Sequence, residues 1–194
     1  MDGEHRLDAY DLTARERRRI VSLVHHPGMA INCALARGNR FEPILEAFPM
    51  TCVLLEPVLR ELLDQMWESI RPSSYQFSAE VPLFTAHVQG MLRQDQLQIA
   101  YLEDVFTYEL RCWELALKMR EHGHPLREHS AEVEFHHAPE LLLPPLSNLQ
   151  APPPGISKGQ YRVRLILRGT RIAVEAFSSR DAHDQVDNSL SLAT

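Results

Sequence analysis

Apolar residues recur at helical spacing through the first two-thirds of the chain. They predict a first helix that begins after Leu12–Thr13 and runs to about His25. Pro27 and Gly28 end it, because proline has no backbone N–H to continue the hydrogen-bond ladder. A second, shorter helix is predicted over 30–37, where the following Gly-Asn pair closes it. A brief apolar turn over 49–55 comes next.

Pro57 is well placed in the first turn of a further helix, since first-turn amides have no partner within the helix. Apolar and polar residues of this helix separate onto two faces. Pro72 and the two serines after it end the helix, and Ser78 is the predicted N-cap of another. The apolar face comprises Val58, Leu59, Leu62, Leu63, Met66 and Ile70.

The segment from about Ile99 to Glu121 predicts the most apolar helix of the chain. Two adjacent apolar stripes leave only a narrow polar face, which is typical of a central helix in a bundle. At about 1.5–3 kcal/mol for each large side chain buried, this helix alone supplies much of a core. One stripe holds Leu102, Phe106, Leu110, Trp113 and Leu117, and the other holds Tyr101, Val105, Tyr108, Cys112, Leu115 and Met119.

The periodicity changes in the last third of the chain. Alternation over 132–135 predicts a strand. Six prolines between Pro139 and Pro154 predict an extended crossing segment rather than a helix. Alternation returns over 161–167, and a Gly-Thr turn joins this strand to another over 171–177. Tyr161, Val163, Leu165 and Leu167 are expected to face one way, and Arg162, Arg164, Ile166 and Arg168 the other.

These patterns predict an α+β fold in two parts. An N-terminal helical bundle domain is expected over 1–125. A small C-terminal β-sheet domain, similar to a peptide-recognition element, is expected over 126–194. The polar tail from Arg180 is expected to be frayed.

Composition narrows the class of protein. The chain has 194 residues and a formal net charge of −6, so as a whole it is a poor match for polyanionic nucleic acid. Three widely spaced cysteines without a CxxC pair fit a reducing compartment. The charged N-terminus is unlike a secretory signal, and the longest uncharged stretch, 141–157, is interrupted by five prolines. We therefore expect a cytoplasmic protein that binds neither nucleic acid nor membrane.

No local motif indicates catalysis. The sequence lacks the phosphate-binding patterns GxGxxG and GxxxxGK[ST], and it lacks HExxH and GxSxG. We expect a non-enzymatic protein with no cofactor of its own.

Histidines near the junction of the two predicted domains are the best argument for an enzyme. Imidazole is the commonest metal-binding side chain, so these histidines could form the metal site of an enzyme. The alternative is that they are polar residues of loops and of the surface. Adjacent strand residues point to opposite faces, so His136 and His137 cannot serve one site without a bend. No spacing resembles a zinc site or a two-His-one-carboxylate site. The cluster holds His122, His124, His129, His136 and His137.

Two basic segments suggest different partners. The run from Arg15 to Arg19 could contact phosphate, and a DNA-binding transcriptional regulator is accordingly the alternative function. Residues 158–180 hold six cationic side chains against only Glu175. The arginines there either protect an edge strand from aggregation or accept an extended acidic peptide by strand addition.

The helical part resembles a bacterial family labelled as DNA-binding domains. Members show an FP pair, an apolar LL, a P-x-S turn, and a helix of the form YL-acid-(V/A)-x-x-x-E. The match covers about residues 40–117, roughly 40% of the chain, and departs from the family at Glu56-Pro57, where glycine and an acid are expected. The matching residues are Phe48-Pro49, Leu54-Leu55, Pro72-Ser73-Ser74 and Tyr101-Leu102-Glu103-Asp104-Val105 through Glu109.

This family is similar to the MbnC-type partner proteins of methanobactin biosynthesis. The resemblance implies a non-catalytic subunit that forms a heterodimer with a multinuclear non-haem iron oxidase, with the iron in the oxidase. Such a partner binds the leader of a ribosomally made precursor peptide (a RiPP) and presents its cysteines for conversion to the oxazolone and thioamide groups of a copper chelator. The acidic, apolar helical part is then expected to face the oxidase.

The basic hairpin is the expected site of leader recognition. Main-chain hydrogen bonds of an added strand would supply affinity, and arginines would select acidic leader side chains. The predicted peptide-binding residues are Tyr161, Arg162, Val163, Arg164 and Leu165, with Arg168 and Arg171.

Overall fold

The computed structural model describes residues 10–69, 79–122, 129–168 and 171–179. Within these residues the protein has seven helices and one three-stranded antiparallel sheet, which confirms the mixed α+β class. The helices are α1 (Ala14–Val24), α2 (Pro27–Ala47), α3 (Pro49–Leu55), α4 (Leu59–Ser69), α5 (Glu80–Arg93), α6 (Leu102–His122) and α7 (Pro139–Ser147). The strands are β1 (His129–His137), β2 (Lys158–Arg168) and β3 (Arg171–Ser179).

Helix α1 begins where the sequence predicts. Thr13 is its N-cap, and the Thr13 side chain accepts a hydrogen bond from the Glu16 amide while the Glu16 carboxylate accepts one from the Thr13 amide at 2.9 Å. This reciprocal arrangement satisfies two amides that the first turn leaves without helical partners.

The short second helix predicted over 30–37 is wrong. Helix α2 continues from Pro27 through Gly38 to Ala47 and contains Pro43. Both Gly38 and Pro43 are unfavourable inside a helix. The continuation nevertheless brings Ile44, which is fully buried, into the core.

The next helices follow the predicted breaks. Pro49 begins α3. The segment over 49–55, predicted as a brief apolar turn, is a helix of about two turns. Pro57 lies in the turn before α4 and not within its first turn. The predicted stop at Pro72–Ser74 and the predicted cap Ser78 fall outside the described residues.

Helix α6 is central, as its apolar arc predicts. Leu102, Val105, Phe106 and Leu115 are all buried. The ring of Phe106 lies 5.4 Å from that of Phe48, whose ring in turn lies 5.5 Å from that of Phe84, so α6 is joined to the start of α3 and to α5.

The extended segment predicted for the proline-rich stretch is wrong over its first half. Pro139–Ser147 forms α7, with Pro139 in the first turn and Pro144 and Pro145 inside. Each internal proline costs about 3 kcal/mol, so the two together cost about 6 kcal/mol. Three leucines of α7 are buried in the core, and at about 1.5–3 kcal/mol each they offset that cost. These are Leu142, Leu143 and Leu146.

The sheet order is β1-β2-β3, with both pairings antiparallel. Val163 of β2 lies opposite Val133 of β1 and Phe177 of β3. The predicted alternation holds for Val163 and Leu165, which are buried, and for Arg162 and Arg164, which are exposed. Ile166 shares the arginine face and is nevertheless buried. The predicted Gly169-Thr170 turn and the tail from Arg180 fall outside the described residues.

One hydrophobic core includes parts of both predicted domains. It joins Val105 and Leu115 of α6 to Val133 of β1 and to Val163 and Leu165 of β2. Two compact units are present, Met1–Pro43 and Ile44–Thr194. The expected boundary between 125 and 126 falls outside the described residues and stays a prediction.

Among the described residues, no helix is both long enough and apolar enough to cross a membrane.

Candidate functional site

The position of β2 changes how the predicted peptide site can work. β2 is the central strand and pairs with β1 on one side and β3 on the other. Its backbone amides and carbonyls therefore face two neighbours, and the strand addition expected along Tyr161–Leu165 is wrong for this strand. Within the described part of the sheet, the open edges belong to β1 and β3.

Three of the predicted contact residues lie on the core face of β2. Val163 and Leu165 are fully buried, and Tyr161 is half-buried against the same core. Gly159 leaves room for the Tyr161 ring, because a Cβ at Gly159 would lie only 2.7 Å from Tyr161 Cε2. These residues shape the sheet and present no side chain for direct contact with a peptide, apart from the exposed part of Tyr161.

The arginines form the outer face of the sheet together with carboxylates. Arg162 lies 3.4 Å from Glu132 and 3.6 Å from Glu134, both on β1. On the other side, Glu175 of β3 lies 3.4 Å from Arg164 and 3.2 Å from Arg168. The arginine side chains are 44–61% exposed, and such exposed pairs are worth only about 0.2–1 kcal/mol each. They can exchange their partners for carboxylates of a ligand at low cost.

The two open edges differ in chemistry. The edge strand β1 carries exposed Glu132 and Glu134 and is interrupted by an irregularity between Phe135 and His137. The edge strand β3 begins at exposed Arg171, and its Val174 remains 39% exposed although it lies opposite buried Leu165. Edge β3 therefore offers a cation and a partly open apolar position.

The irregularity in β1 brings two adjacent histidines to one carboxylate. His136 Nδ1 lies 3.0 Å from Asp104 Oδ1, and His137 Nδ1 lies 2.8 Å from Asp104 Oδ2. The His136 amide also donates to Asp104 Oδ1, at 2.9 Å. A carboxylate only accepts hydrogen bonds, so both imidazoles donate from Nδ1. The bulge supplies the bend that the strand alternation lacks.

The contacts of this cluster join β1 to the start of α6. The Asp104 side chain is only 2% exposed and lies in the first turn of α6, where the helix dipole favours a negative charge. Among the described residues, no group of three or more His, Cys, Asp or Glu side chains is arranged to hold a metal ion. His124 lies outside the described residues.

Tyr101, just before α6, contacts both the segment that precedes β2 and the His137 ring of the same cluster. Its hydroxyl accepts from the Ile156 amide at 3.2 Å and lies 3.4 Å from the Pro153 carbonyl. Its ring meets His137 edge-on at a centroid distance of 4.8 Å. The φ of +66° at Tyr101 is a left-handed conformation that costs a non-glycine residue energy. The ring and hydroxyl contacts together hold it there.

Glu109 of α6 is a second buried carboxylate that the apolar pattern did not single out. The amides of Met50 and Thr51, in the first turn of α3, each donate to it at 2.7 Å. Burial raises the pKa of Glu109 to about 7, although the hydrogen bonds from Thr51 and Met50 oppose the shift. Glu109 follows Phe106 by three positions and Val105 by four, so it shares their helix face. This spacing was the sequence signal that Glu109 is buried.

The thiols of Cys52 and Cys112, next to Glu109, are poorly suited to act as nucleophiles or metal ligands. Burial, together with the Glu109 charge, raises the pKa of Cys52 to about 12. Burial also raises the pKa of Cys112 to about 11. A thiol acts as a nucleophile or metal ligand through its thiolate, and both groups remain protonated at neutral pH.

No protein-family model, no curated protein and no solved structure matches the chain.

Proposed function

We propose that this protein is a non-catalytic partner of an iron-dependent peptide-modifying oxidase, and that it binds the leader of a precursor peptide at the β3 edge of its sheet. The observation that carries the proposal is the chemistry of that edge, which combines a strand edge with no partner in the described sheet, exposed Arg171 and partly exposed Val174. An acidic, extended peptide fits all three.

Edge β3 is favoured over edge β1 by charge, because each strand carries one irregularity, at Glu175 in β3 and between Phe135 and His137 in β1. An acidic leader added along β1 would lie beside Glu132 and Glu134, and like charges oppose such pairing. Along β3 it would lie within reach of Arg171, while Arg164 and Arg168 are held on the adjacent strand through Glu175. The resulting interface is small, because the peptide must also be ordered as it binds.

The partner role follows from what a bound leader does. Anchoring the leader confines the attached cysteines near the oxidase, and this reduces the entropy lost when they reach the iron. The oxidase supplies the iron, and this chain supplies the position of the peptide. We propose the acidic helical part of the chain as the surface that faces the oxidase.

The test measures binding of the fluorescein-labelled leader of the precursor encoded beside the oxidase. Arg171→Gln and Arg168→Gln should each weaken binding about threefold to tenfold, since each removes one charge-assisted contact. A leader with N-methylated backbone amides should bind at least about tenfold more weakly, because strand addition needs those donors. Arg93→Gln, at the exposed end of α5, is the matched control.

Two results would reject this assignment. Equal affinity for the methylated and unmethylated leaders would exclude strand addition. Unchanged affinity in Arg168→Gln and Arg171→Gln would exclude the basic edge as the dock.

The oxidase-facing surface has its own test in the full-length chain. Glu103→Lys combined with Glu114→Lys, on the polar side of α6, should reduce co-purification of the oxidase. Arg162→Gln combined with Arg164→Gln, on the outer face of the sheet, should leave it unchanged. The reverse pattern would place the oxidase on the sheet instead.

A further inference from the structure

The first four residues of β3 present alternate faces to a strand added at this edge. Ile172 lies opposite Leu167 and Val174 lies opposite Leu165, and both leucines are buried on the core face of β2. Because directly opposed residues point to the same side of a sheet, Ile172 and Val174 also face the core. Arg171 alternates with them and faces outward. An added strand would therefore meet two apolar positions on one side and a cation on the other.

The apolar core reaches the edge of the sheet but does not close there. Helix α6 packs against β3, and Ile172 is half-buried against the core. Val174 stays 39% exposed although its partner Leu165 is fully buried. Burial of apolar surface is favourable in proportion to the area removed from water. Apolar side chains of an added strand, placed opposite Ile172 and Val174, would cover this surface.

The cation at the start of β3 lacks a counter-ion among the described residues. Arg171 lies directly opposite Arg168, and like charges in this position oppose each other. Glu175 lies 3.2 Å from Arg168, but no carboxylate of the described residues forms an ion pair with Arg171. A carboxylate on an added strand, placed opposite Arg171, would supply the missing negative charge.

Glu175 limits the edge at its other end. The register of β2 and β3 shifts at this residue, which is the extra residue of a bulge between Val174 and Ala176. Its carboxylate lies on the outer face with Arg164 and Arg168. The regular part of the edge therefore ends at Val174, and a second carboxylate placed next to Glu175 would be repelled.

We propose that edge β3 selects an extended segment with two apolar residues at alternate positions and an acidic residue directly after the second, read from the amino end. The segment adds antiparallel, which is the direction of both existing pairings and the more stable one per residue. Its apolar side chains lie opposite Val174 and then Ile172, and its carboxylate lies opposite Arg171. Glu175 is the specificity residue, because it repels an acid at the amino end of the segment. This inference rests on the proposed leader site, and its residues all belong to the compact unit Ile44–Thr194.

The first experiment compares two short synthetic peptides of identical composition and flanks, by fluorescence anisotropy with the full chain. One contains valine, threonine, valine and glutamate in that order, and the other has the glutamate moved in front of the first valine. We expect the first peptide to bind at least about threefold more tightly, since an ion pair with Arg171 replaces a repulsion by Glu175. Equal affinities, or no binding of either peptide, would overturn the proposal.

The second experiment removes the charge of Glu175. Glu175→Gln should bind the peptide whose glutamate comes first about twofold to fivefold more tightly than the original chain does, because the repulsion is gone. A variant that fails to fold cannot produce such a gain. Glu140→Gln, at an exposed position of α7, removes the same charge elsewhere and should leave both affinities unchanged. Unchanged binding of that peptide by Glu175→Gln would overturn the proposal.

The third experiment tests the two kinds of contact separately. Arg171→Glu should bind a peptide that ends in lysine more tightly than the one that ends in glutamate, because the charges of the pair are exchanged. Val174→Thr keeps the shape of the side chain and should weaken binding of the valine peptide about threefold to tenfold, through the lost apolar contact. An unreversed charge preference, or full binding by Val174→Thr, would overturn the proposal.

Failure of this segment pattern and failure of the leader site give different results. A leader that needs its backbone amides, but binds equally well after its alternate apolar residues are replaced by serine, would overturn the pattern and leave the leader site in place. Pattern-dependent binding of the synthetic peptides, by a chain that does not bind the leader, would support the selectivity of edge β3 and reject the leader as its ligand.

Discussion

Glu109 shows how one residue can link distant parts of the fold. Its carboxylate receives both first-turn amides of α3 from a position on α6. Such amides have no partner within their own helix. The contact replaces a local cap with a tertiary one, and so makes the start of α3 depend on the position of α6.

The raised pKa of Glu109 predicts a pH dependence of stability. Because the folded-state pKa, about 7, lies above the ordinary value of 4.5, the stabilising contribution is fully present below about pH 4.5 and is lost as the pH rises through about 7. The loss is up to about 3 kcal/mol. Glu109→Gln cannot ionise, so its free energy of unfolding should fall less between about pH 5 and pH 8.

Urea unfolding of both proteins at the two pH values measures this difference. Glu103→Gln, at an exposed position of the same helix, should retain the pH dependence of the original chain. A Glu109→Gln variant that loses stability with pH as steeply as the original chain would contradict the assignment.

Among helices and strands, α7 is the element in which tertiary packing overrides local preference. Its two internal prolines break the helical hydrogen-bond ladder, yet its leucines enter the core beside β1 and β2. Burial follows helical spacing, since Pro139, Leu142, Leu143 and Leu146 are buried while Leu141 is 52% exposed.

This arrangement predicts a sharp contrast between neighbouring substitutions. Leu142→Ala should lower the free energy of unfolding by about 2–5 kcal/mol, because it leaves a cavity in the core. Leu141→Ala should change it by less than about 0.5 kcal/mol, as expected for an exposed position. Chemical denaturation of the two variants measures both values. Equal effects would show that this segment does not pack as the helix described.

The strands could be predicted from the sequence, but their arrangement could not. Alternation locates β2 because successive side chains point to opposite faces of a sheet. The central place of β2 depends instead on pairing with β1 and β3, and that pairing joins residues far apart in the chain. The predicted strand addition was therefore placed on the central strand, both of whose edges are already paired.

At the scale of the whole molecule, charge is divided along the chain. Residues 10–43 are basic, 44–69 are acidic, and the outer face of the sheet alternates arginine with glutamate. The average net charge of −6 describes none of these surfaces. Partner selection depends on the local surfaces, since charges further apart than about 10 Å are largely screened at ordinary salt.

The alternative function, a DNA-binding regulator, makes a distinct prediction at this scale. Its recognition helix would have to be α1, because the run Arg15–Arg19 puts several cations on one helix and the following stretch is acidic. We expect no retardation of duplex DNA in a gel at about 0.05 M salt, where non-specific electrostatic binding is strongest. A shifted band that disappears in Arg15→Glu/Arg19→Glu would instead favour the regulator.

The sequence by itself determined the class of the fold and several of its elements. The start of α1, the wide apolar arc of α6 and the alternation of β2 are local patterns, and local patterns depend on residues a few positions apart. The tertiary structure alone decided the strand order, the helical form of α7 and the meeting of His136 and His137 at Asp104. Each of these depends on contacts between residues distant in sequence, whose burial and hydrogen bonds outweigh local preference.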